Sequence, residues 1–370
     1  MSSTVSERDD VLSRLPIRDD LRGKVPYGAP QLDVAVRLNT NENSYDVPDE
    51  VIAAVVEAVR REAKHLNRYP DREFTGLRED LAAYLGHDLT ADQLWAGNGS
   101  NEVLQHVLQA FGGPGRTALG FTPSYSMHPI ISTGIGTAWV DGLRGTDADV
   151  FDLGLDLTVE QIEKHRPDVT FLCSPNNPTG TALDLDVVRA AYEATDGVLV
   201  VDEAYAEFAR PGTPSALTLL PGRERLIVTR TMSKAFALAG GRLGYLAADP
   251  AVTDALRLVR LPYHLSSVTQ AVARAALWHA DVLLATVEAI KEQRDRIVTD
   301  VAALGLPPAP SDANFVLFGG LPDAEATWRS LLSRGVLVRD VGIPNHLRVT
   351  AGTEAETTKF LDALADSLLD

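Results

Sequence analysis

The chain has 370 residues, 45% of them hydrophobic and 23% charged, a composition usual for globular proteins long enough to form two domains. Its 34 basic and 51 acidic residues give a net charge of −17, which argues against nucleic acid or an anionic membrane as a partner. The single cysteine, Cys173, excludes a disulfide framework and a cysteine-rich metal site, and it predicts a cytoplasmic protein. No signal peptide or membrane-spanning run is evident.

The N-terminal third predicts a polar arm followed by helices. The first 25 residues or so, with Asp9 and Asp10, are polar and charged. From about Val51, apolar residues recur every three or four positions, which is typical of an amphipathic helix. A second helix is predicted from Ser100, with Ser100 as its N-cap and an apolar face that includes Val103.

Short apolar runs then alternate with helical stretches, which predicts a mostly parallel sheet with helices on both faces. The predicted strands are residues 169–173, 198–201, 226–228 and 243–247, and a helix is expected over 185–194. After a long helical region from about Leu265, three more strands are predicted at 314–318, 336–339 and 347–350. These C-terminal elements predict a second, smaller α/β domain.

Polar residues follow three of the predicted strands at the point where each strand ends. An asparagine-rich segment that includes Asn177 follows the first, Asp202 and Tyr205 follow the second, and Ser233 with Lys234 follows the third. Because ligands bind at the carboxyl ends of parallel strands, these side chains are expected at one rim of the sheet.

A lysine at such a rim suggests Schiff-base chemistry. Pyridoxal phosphate requires a lysine amine, a carboxylate that keeps its ring nitrogen protonated, donors to its ring oxygen, and an anion site for its phosphate. The predicted rim offers each of these groups. The histidines show no metal-ligand spacing, so no metal site is predicted.

The motifs at this rim resemble those of the fold type I aminotransferases: residues 174–180 (SPNNPTG), 202–205 (DEAY) and 233–245 (SKAFALAGGRLGY). Further segments resemble the histidinol-phosphate aminotransferases, most of all the actinobacterial ones: 38–43 (LNTNEN), 68–71 (RYPD), 99–102 (GSNE), 123–125 (PSY), 262–265 (PYHL), 311–315 (SDANF) and 347–350 (LRVT). Each piece is weak alone, but the set in this order covers nearly the whole chain. One position departs, since Ser44 stands where that family usually has proline.

The resemblance implies an α/β fold with a large domain, built on a mostly parallel sheet flanked by helices, and a smaller α/β domain. The implied boundaries are 1–45 for an N-terminal arm with part of the small domain, 46–264 for the large cofactor-binding domain, and 265–370 for the C-terminal small domain. It also implies roles around the cofactor ring. Lys234 would hold pyridoxal phosphate and move the proton, Asp202 would pair with the ring nitrogen, Asn177 and Tyr205 would bond the ring oxygen, and Tyr125 would stack on the ring.

The same resemblance assigns a phosphate site to Ser100, Asn101, Thr231, Ser233 and Arg242. The predicted helix N-terminus at Ser100 suits an anion on physical grounds as well.

Other implied roles concern the neighbouring subunit and the substrate. Tyr69 resembles the tyrosine that reaches the phosphate of the partner subunit, which implies a homodimer with shared sites. Arg348 resembles the arginine that grips the anionic end of the substrate, and its planar guanidinium suits carboxylate or phosphate. Tyr27, Asn39 and Arg339 are further candidates for substrate contacts.

Each of these residues also has an ordinary structural interpretation. Lys234 could be a surface lysine, Asp202 a helix N-cap, Tyr125 and Tyr69 packing aromatics, and Arg348 a partner in a salt bridge at a strand edge. The segment around Asn177 is expected to be a turn in either case.

Transamination between L-histidinol phosphate and 2-oxoglutarate, a step of histidine biosynthesis, is the leading hypothesis. Alternatives are an aromatic aminotransferase acting on phenylalanine or tyrosine, and a phosphothreonine decarboxylase that shares the fold. A regulator that keeps the fold to sense a ligand is remote, since the chain has no spare length for a DNA-binding domain and its net charge is unsuitable.

Overall fold

A computed structural model describes residues 11–145 and 151–369 of the chain. Its contacts divide the chain into one unit that ends at Asp33 and a second that begins at Val34. In the first unit, Arg22 donates from its guanidinium to the carbonyl oxygens of Ser13 and Leu15, both at 3.1 Å. The acidic pair at positions 9 and 10, which the sequence assigns to an arm, lies outside the described residues.

The larger unit contains strands that are short and mostly buried. They are β1 (Val36–Arg37), β2 (Leu94–Gly97), β3 (Thr117–Thr122), β4 (Ala138–Leu143), β5 (Val169–Cys173), β6 (Val198–Asp202), β7 (Leu226–Thr231), β8 (Gly244–Ala248), β9 (Phe315–Phe318), β10 (Val336–Leu337) and β11 (Leu347–Thr350).

The helices between them are mostly amphipathic. They are α1 (Asp49–Glu62), α2 (Thr75–Leu85), α3 (Ser100–Phe111), α4 (Met127–Ile135), α5 (Leu155–His165), α6 (Leu185–Ala194), α7 (Pro250–Val259), α8 (Ser267–Trp278), α9 (Ala280–Ala303), α10 (Ala324–Ser333) and α11 (Glu354–Ser367). Among the described helices, none is long and apolar enough to cross a bilayer.

Seven strands form the central sheet, in the order β2-β8-β7-β6-β5-β3-β4. All neighbouring pairs are parallel except those made by β8, which is antiparallel to both β7 and β2. Strands β5, β6 and β7 are buried along their whole length, as expected for sheet strands covered on both faces. The predicted mostly parallel sheet flanked by helices is therefore confirmed.

The remaining strands form two pairs, which join the C-terminal strands to each other and to β1. Strand β11 is antiparallel to β9, with Thr350 opposite Phe315, and β1 is parallel to β10. Leu38, just after β1, accepts a backbone hydrogen bond from Thr350 at 2.9 Å. The segment after β1 therefore runs alongside β11, which brings residues near position 40 to the C-terminal strands. The predicted boundaries at 45/46 and 264/265 stay predictions.

The predicted elements agree with the structure to within a few residues at their ends, with one correction. The sequence predicts Ser100 as the N-cap of α3, but the capping position is Gly99, because its carbonyl oxygen accepts the bonds from the amides of Glu102 and Val103. Ser100 is instead the first helical residue. No side chain within the described ranges caps this helix, so the amides of its first turn point to the rim of the sheet without a capping oxygen.

Candidate active site

The carboxyl ends of β5, β6 and β7 lie side by side at one rim of the central sheet. The register places Cys173 opposite Asp202, and Asp202 opposite Thr229. The asparagine turn, the Asp202–Tyr205 segment and the Ser233–Lys234 segment all leave the sheet from this edge. The sheet topology therefore places the three predicted segments at one rim, as the sequence predicts.

Asp202 is the last residue of β6 and only 1% exposed, so it is not a helix N-cap. One carboxylate oxygen accepts from the Thr229 hydroxyl at 3.1 Å, and the other lies 3.1 Å from Nε2 of His128. The His128 ring stacks on Phe171 with 4.6 Å between centroids. Two partners from different elements therefore fix the direction in which this carboxylate points.

His128 is not among the site residues predicted from the sequence. The signal that could have found it is its spacing, three residues after Tyr125 at the start of a helix. The two rings meet edge to face at 5.3 Å, and the Tyr125 hydroxyl donates to the Asn101 side chain at 3.1 Å. Tyr125 is therefore a link between the Asp202 carboxylate and the N-terminus of α3.

The Lys234 side chain is partly buried, and its ammonium donates to the carbonyl oxygen of Thr40 at 2.9 Å. Burial lowers the pKa of Lys234 to about 8, and the positive charge of Arg348 acts in the same direction. Above that pH the amine is neutral, which is the form that attacks a carbonyl group.

The residues on either side of Thr40 contact two further groups of the rim. Asn41 donates from its amide nitrogen to the Tyr205 hydroxyl at 2.9 Å, and the Asn39 carbonyl oxygen accepts from Arg348 at 2.8 Å. Burial raises the pKa of Tyr205 to about 12, so its hydroxyl stays protonated at neutral pH. One three-residue segment thus joins the amine, the phenol and the guanidinium.

Arg348 is buried on β11 and also donates to the Asn177 side-chain oxygen at 2.5 Å. Because that oxygen accepts, the amide nitrogen of Asn177 remains the end able to donate to a ligand. Arg339 exchanges two backbone hydrogen bonds with Arg348, both at 2.9 Å. The structure therefore brings Asn177, Arg348, Asn39 and Arg339 together as one group.

A candidate anion site lies where α3 begins. The Ser233 amide donates to the Thr231 hydroxyl at 3.1 Å, and that hydroxyl donates to the Ser233 hydroxyl at 3.0 Å. Arg242 reaches the Ser233 hydroxyl at 3.4 Å. With the first-turn amides of Ser100 and Asn101, these groups form a set of hydroxyl, backbone and guanidinium donors of the kind that can hold an anion.

Two glycines keep this site open. A Cβ on Gly99 would lie 2.4 Å from Nη2 of Arg242, and one on Gly244 would lie 2.0 Å from the Ser100 nitrogen. Gly99 also has φ +83°, in a region that residues with a side chain rarely adopt. The close approach of the strand, the helix start and the arginine therefore depends on the absence of side chains here.

Two predicted site residues have no described contact that assigns them to this group. Tyr69 is 80% exposed and stacks on Tyr263, with 4.5 Å between ring centroids. Tyr27 belongs to the N-terminal unit and is exposed. Their proposed roles therefore depend on contacts beyond this single chain or stay predictions.

The donor set fits pyridoxal phosphate group by group. It contains an amine at Lys234, a carboxylate at Asp202, donors at Tyr205 and Asn177, and an anion site at the start of α3. Hydrogen bonds and ring contacts connect these groups through residues 39–41 and Tyr125. The arrangement can hold a phosphate, orient a protonated pyridine and place a basic amine beside it.

The proteins that this chain resembles are aminotransferases, which agrees with a site that fits pyridoxal phosphate. Residues 34–364 match the family model described as aminotransferase class I and II. A histidinol-phosphate aminotransferase of Paenarthrobacter aurescens is 63% identical over 99% of this chain and 98% of its own length. The enzyme of that name from Thermobifida fusca is 59% identical over 95% of each chain.

Solved structures of aminotransferases also resemble this chain, at lower sequence identity. A histidinol-phosphate aminotransferase from Sinorhizobium meliloti, solved in complex with pyridoxal-5'-phosphate, is 27% identical with a TM-score of 0.82 and covers 91% of each chain. A double mutant of Thermus thermophilus aspartate aminotransferase is 26% identical with a TM-score of 0.77, over 90% of this chain and 92% of its own.

Proposed function

Because this chain belongs to the class I and II aminotransferases, we propose that it transfers the amino group of L-histidinol phosphate to 2-oxoglutarate. The products are imidazole acetol phosphate and L-glutamate, and the reaction is a step of L-histidine biosynthesis. The observation that carries the proposal is the segment 39–41, which joins Lys234, Tyr205 and Arg348 by hydrogen bonds of 2.8–2.9 Å. The identity of the substrate is inferred from the names of the relatives that match almost the whole chain.

Pyridoxal phosphate is the cofactor of this function, and when bound it acts as an electron sink for the bonds at the substrate's amino-bearing carbon. Asp202 keeps the ring nitrogen protonated, and Asn177 and Tyr205 donate to the ring oxygen. The first-turn amides of α3, with the Thr231 and Ser233 hydroxyls and the Arg242 guanidinium, hold the phosphate. Tyr125 covers the ring.

Lys234 acts as the general base once its amine is free. Its pKa of about 8 leaves an appreciable neutral fraction near neutral pH, so its Nζ can take the proton from the substrate's amino-bearing carbon.

The test of the function compares amino donors under one set of conditions. The purified protein, loaded with pyridoxal phosphate, is assayed with 2-oxoglutarate and either L-histidinol phosphate, L-phenylalanine or L-tyrosine. A kcat/KM that is highest by far for histidinol phosphate supports the proposal. Equal or better turnover of phenylalanine would move the activity to aromatic amino acids, and carbon dioxide release without a keto acid would indicate a decarboxylase.

Substitution of Gly99 by alanine should lower the affinity for pyridoxal phosphate about tenfold or more, since an alanine would be strained at φ +83° and its Cβ would meet Arg242. The matched control is Gly115→Ala, because Gly115 has φ +82° but a Cβ there meets no described atom within 4 Å. Titration of the apoprotein with the cofactor measures both. Equal affinity in the two variants would contradict the proposed phosphate site.

Arg348→Ala should lower kcat/KM about 10²-fold for both histidinol phosphate and glutamate, since a charge-assisted hydrogen bond to each anionic substrate is lost. Arg348→Lys keeps the charge without the planar fork and should recover only part of the loss. Steady-state kinetics in both directions is the measurement. Unchanged values for both substrates would remove Arg348 from the substrate site.

The active unit is a homodimer in which Tyr69 serves the neighbouring site. Tyr69 stacks on Tyr263 and is 80% exposed, so its side chain is accessible to a second subunit. The proposal rests on this exposure and on the resemblance of the segment 68–71.

Mixed dimers test that arrangement. When Lys234→Ala subunits are mixed with Tyr69→Ala subunits, each mixed dimer contains one site with both residues intact if Tyr69 acts across the interface. The mixture should then regain about one quarter of wild-type activity. If Tyr69 served its own subunit, no intact site would form and the mixture would stay at the mean of its parents.

The location we infer is the cytoplasm, where a reduced buried thiol such as Cys173 is usual and where substrates of amino-acid biosynthesis are found. Fractionation of cells that express the full chain would test this.

A further inference from the structure

Asn41 is held by hydrogen bonds at all four of its polar groups. Its backbone amide donates to the Thr350 hydroxyl at 3.0 Å, and its backbone carbonyl accepts from the Asn314 side chain at 3.1 Å. Its side-chain oxygen accepts from the Thr350 hydroxyl at 3.1 Å, and its side-chain nitrogen donates to Tyr205 at 2.9 Å. The residue is 1% exposed, so no solvent competes for these bonds.

The side-chain amide of Asn41 has one favourable orientation. The backbone adopts φ +56°, where asparagine is among the few residues tolerated. In this orientation the side-chain oxygen accepts the single hydroxyl proton of Thr350, whereas a reversed amide would turn its NH₂ to that hydroxyl and leave its proton with no acceptor among the described contacts. The NH₂ end therefore faces Tyr205.

This orientation has a consequence for the Tyr205 hydroxyl. An amide nitrogen can only donate, so the phenolic oxygen must accept from Asn41 and its own proton must point elsewhere. The Tyr205 ring is also fixed, since it packs edge to face on Phe315 at 5.1 Å, and Phe315 is the cross-strand neighbour of Thr350. Strand β11 and its partner β9 thus determine both the place of the ring and the direction of its proton.

We propose that Asn41 is a positioning residue that makes Tyr205 an obligatory hydrogen-bond donor toward the ring oxygen of bound pyridoxal phosphate. The order of donors runs from Thr350 to Asn41 to Tyr205 to the cofactor. The inference rests on the proposed function, because it requires the cofactor ring to lie beside Tyr205.

The decisive variant is Asn41→Asp, which keeps the size of the side chain but replaces the donor by a carboxylate that accepts. The Tyr205 proton then turns to the carboxylate and is lost to the cofactor. Because a donor stabilises negative charge on the ring oxygen, its loss should raise the pKa of the linkage between Lys234 and the cofactor by about one pH unit or more. The absorption spectrum of the loaded protein, recorded against pH, measures this value without turnover.

A double-mutant cycle separates the donor effect from the added charge. If Asn41 acts through Tyr205, Asn41→Asp in a Tyr205→Phe background should add little to the shift of Tyr205→Phe alone. If it acts only by its charge, the full shift should persist in that background, which would overturn the proposal. Asn43→Asp is the matched control, since the Asn43 side chain contacts Thr286 and Ala235 instead; its shift should be the same in either background.

Folding and cofactor binding are checked in the same experiment. Should Asn41→Asp not fold, Thr350→Val removes the hydroxyl that orients Asn41 and should shift the spectral pKa in the same direction, whereas Thr350→Ser should leave it unchanged. A wild-type protein that binds no pyridoxal phosphate would refute the proposed function. Normal binding with identical spectra in wild type, Thr350→Val and Asn41→Asp would refute only the role of Asn41.

Discussion

Replacing Lys234 by alanine should lower kcat about 10⁴-fold, the largest effect of any single substitution in this chain. In the proposed function the side chain is both the attachment point for the cofactor and the base that moves the proton. The amine contacts the Thr40 carbonyl and is influenced by the Arg348 guanidinium, and neither group is a base at neutral pH. Steady-state turnover with histidinol phosphate measures the loss.

Two controls distinguish lost chemistry from lost structure. Lys234→Arg keeps a positive charge that can donate to Thr40 but cannot act as a base, so it should be as inactive as the alanine variant. Small primary amines added to Lys234→Ala should restore part of the activity, which a misfolded protein would not show. Activity within tenfold of wild type in either variant would contradict the assignment.

The Lys234 pKa of about 8 predicts that the rate of cofactor binding depends on pH. Capture of pyridoxal phosphate by the apoprotein requires the neutral amine, so the rate should rise with pH and level off above about pH 8. An unburied lysine would give a rise that continues toward its ordinary pKa near 10.4. Stopped-flow absorbance on the apoprotein distinguishes these profiles.

The strands of the central sheet could be predicted from the sequence because each is marked by a short, continuous run of apolar residues. The strands β5, β6 and β7 are continuous apolar runs, and the residues directly after each of them must appear at the same rim once the strands are parallel. No knowledge of contacts far apart in the chain is needed for this, and Asn177, Asp202 and Lys234 are correctly predicted at one edge.

The contacts that orient those groups could not be predicted in the same way. Asn41 meets Tyr205 across 164 positions and Thr350 across 309, and these contacts form only because the segment after β1 runs beside β11. A two-residue strand such as β1 has no periodicity to detect. The roles of Asn41 and Thr40 therefore emerge from tertiary packing and not from any local pattern.

At Ser100, a local sequence preference gives a wrong prediction. Serine is a preferred N-cap, and the sequence favours it at this position. The structure places Gly99 there instead, since only glycine allows both φ +83° and the approach of Arg242. A serine cap would occupy an amide of the first turn, whereas a glycine leaves these amides without a side-chain partner, as the proposed phosphate site requires.

Asp202→Asn should lower kcat about 10³-fold, through electrostatics alone. The substitution keeps the shape of the side chain, and an amide can still pair with the Thr229 hydroxyl and with His128. The change removes the negative charge that, in the proposed function, keeps the cofactor's ring nitrogen protonated. The measurements are kcat and the dissociation constant of pyridoxal phosphate, of which the first should change far more than the second.

The control for this prediction is His128→Gln, which leaves the carboxylate in place but alters one of its two fixed partners. Its effect should be smaller than that of Asp202→Asn, since the charge remains and Thr229 still holds one oxygen. If instead the two variants lost equal activity, orientation and not charge would be the contribution of Asp202. If Asp202→Asn stayed within tenfold of wild type, the buried carboxylate would not be the partner of the ring nitrogen.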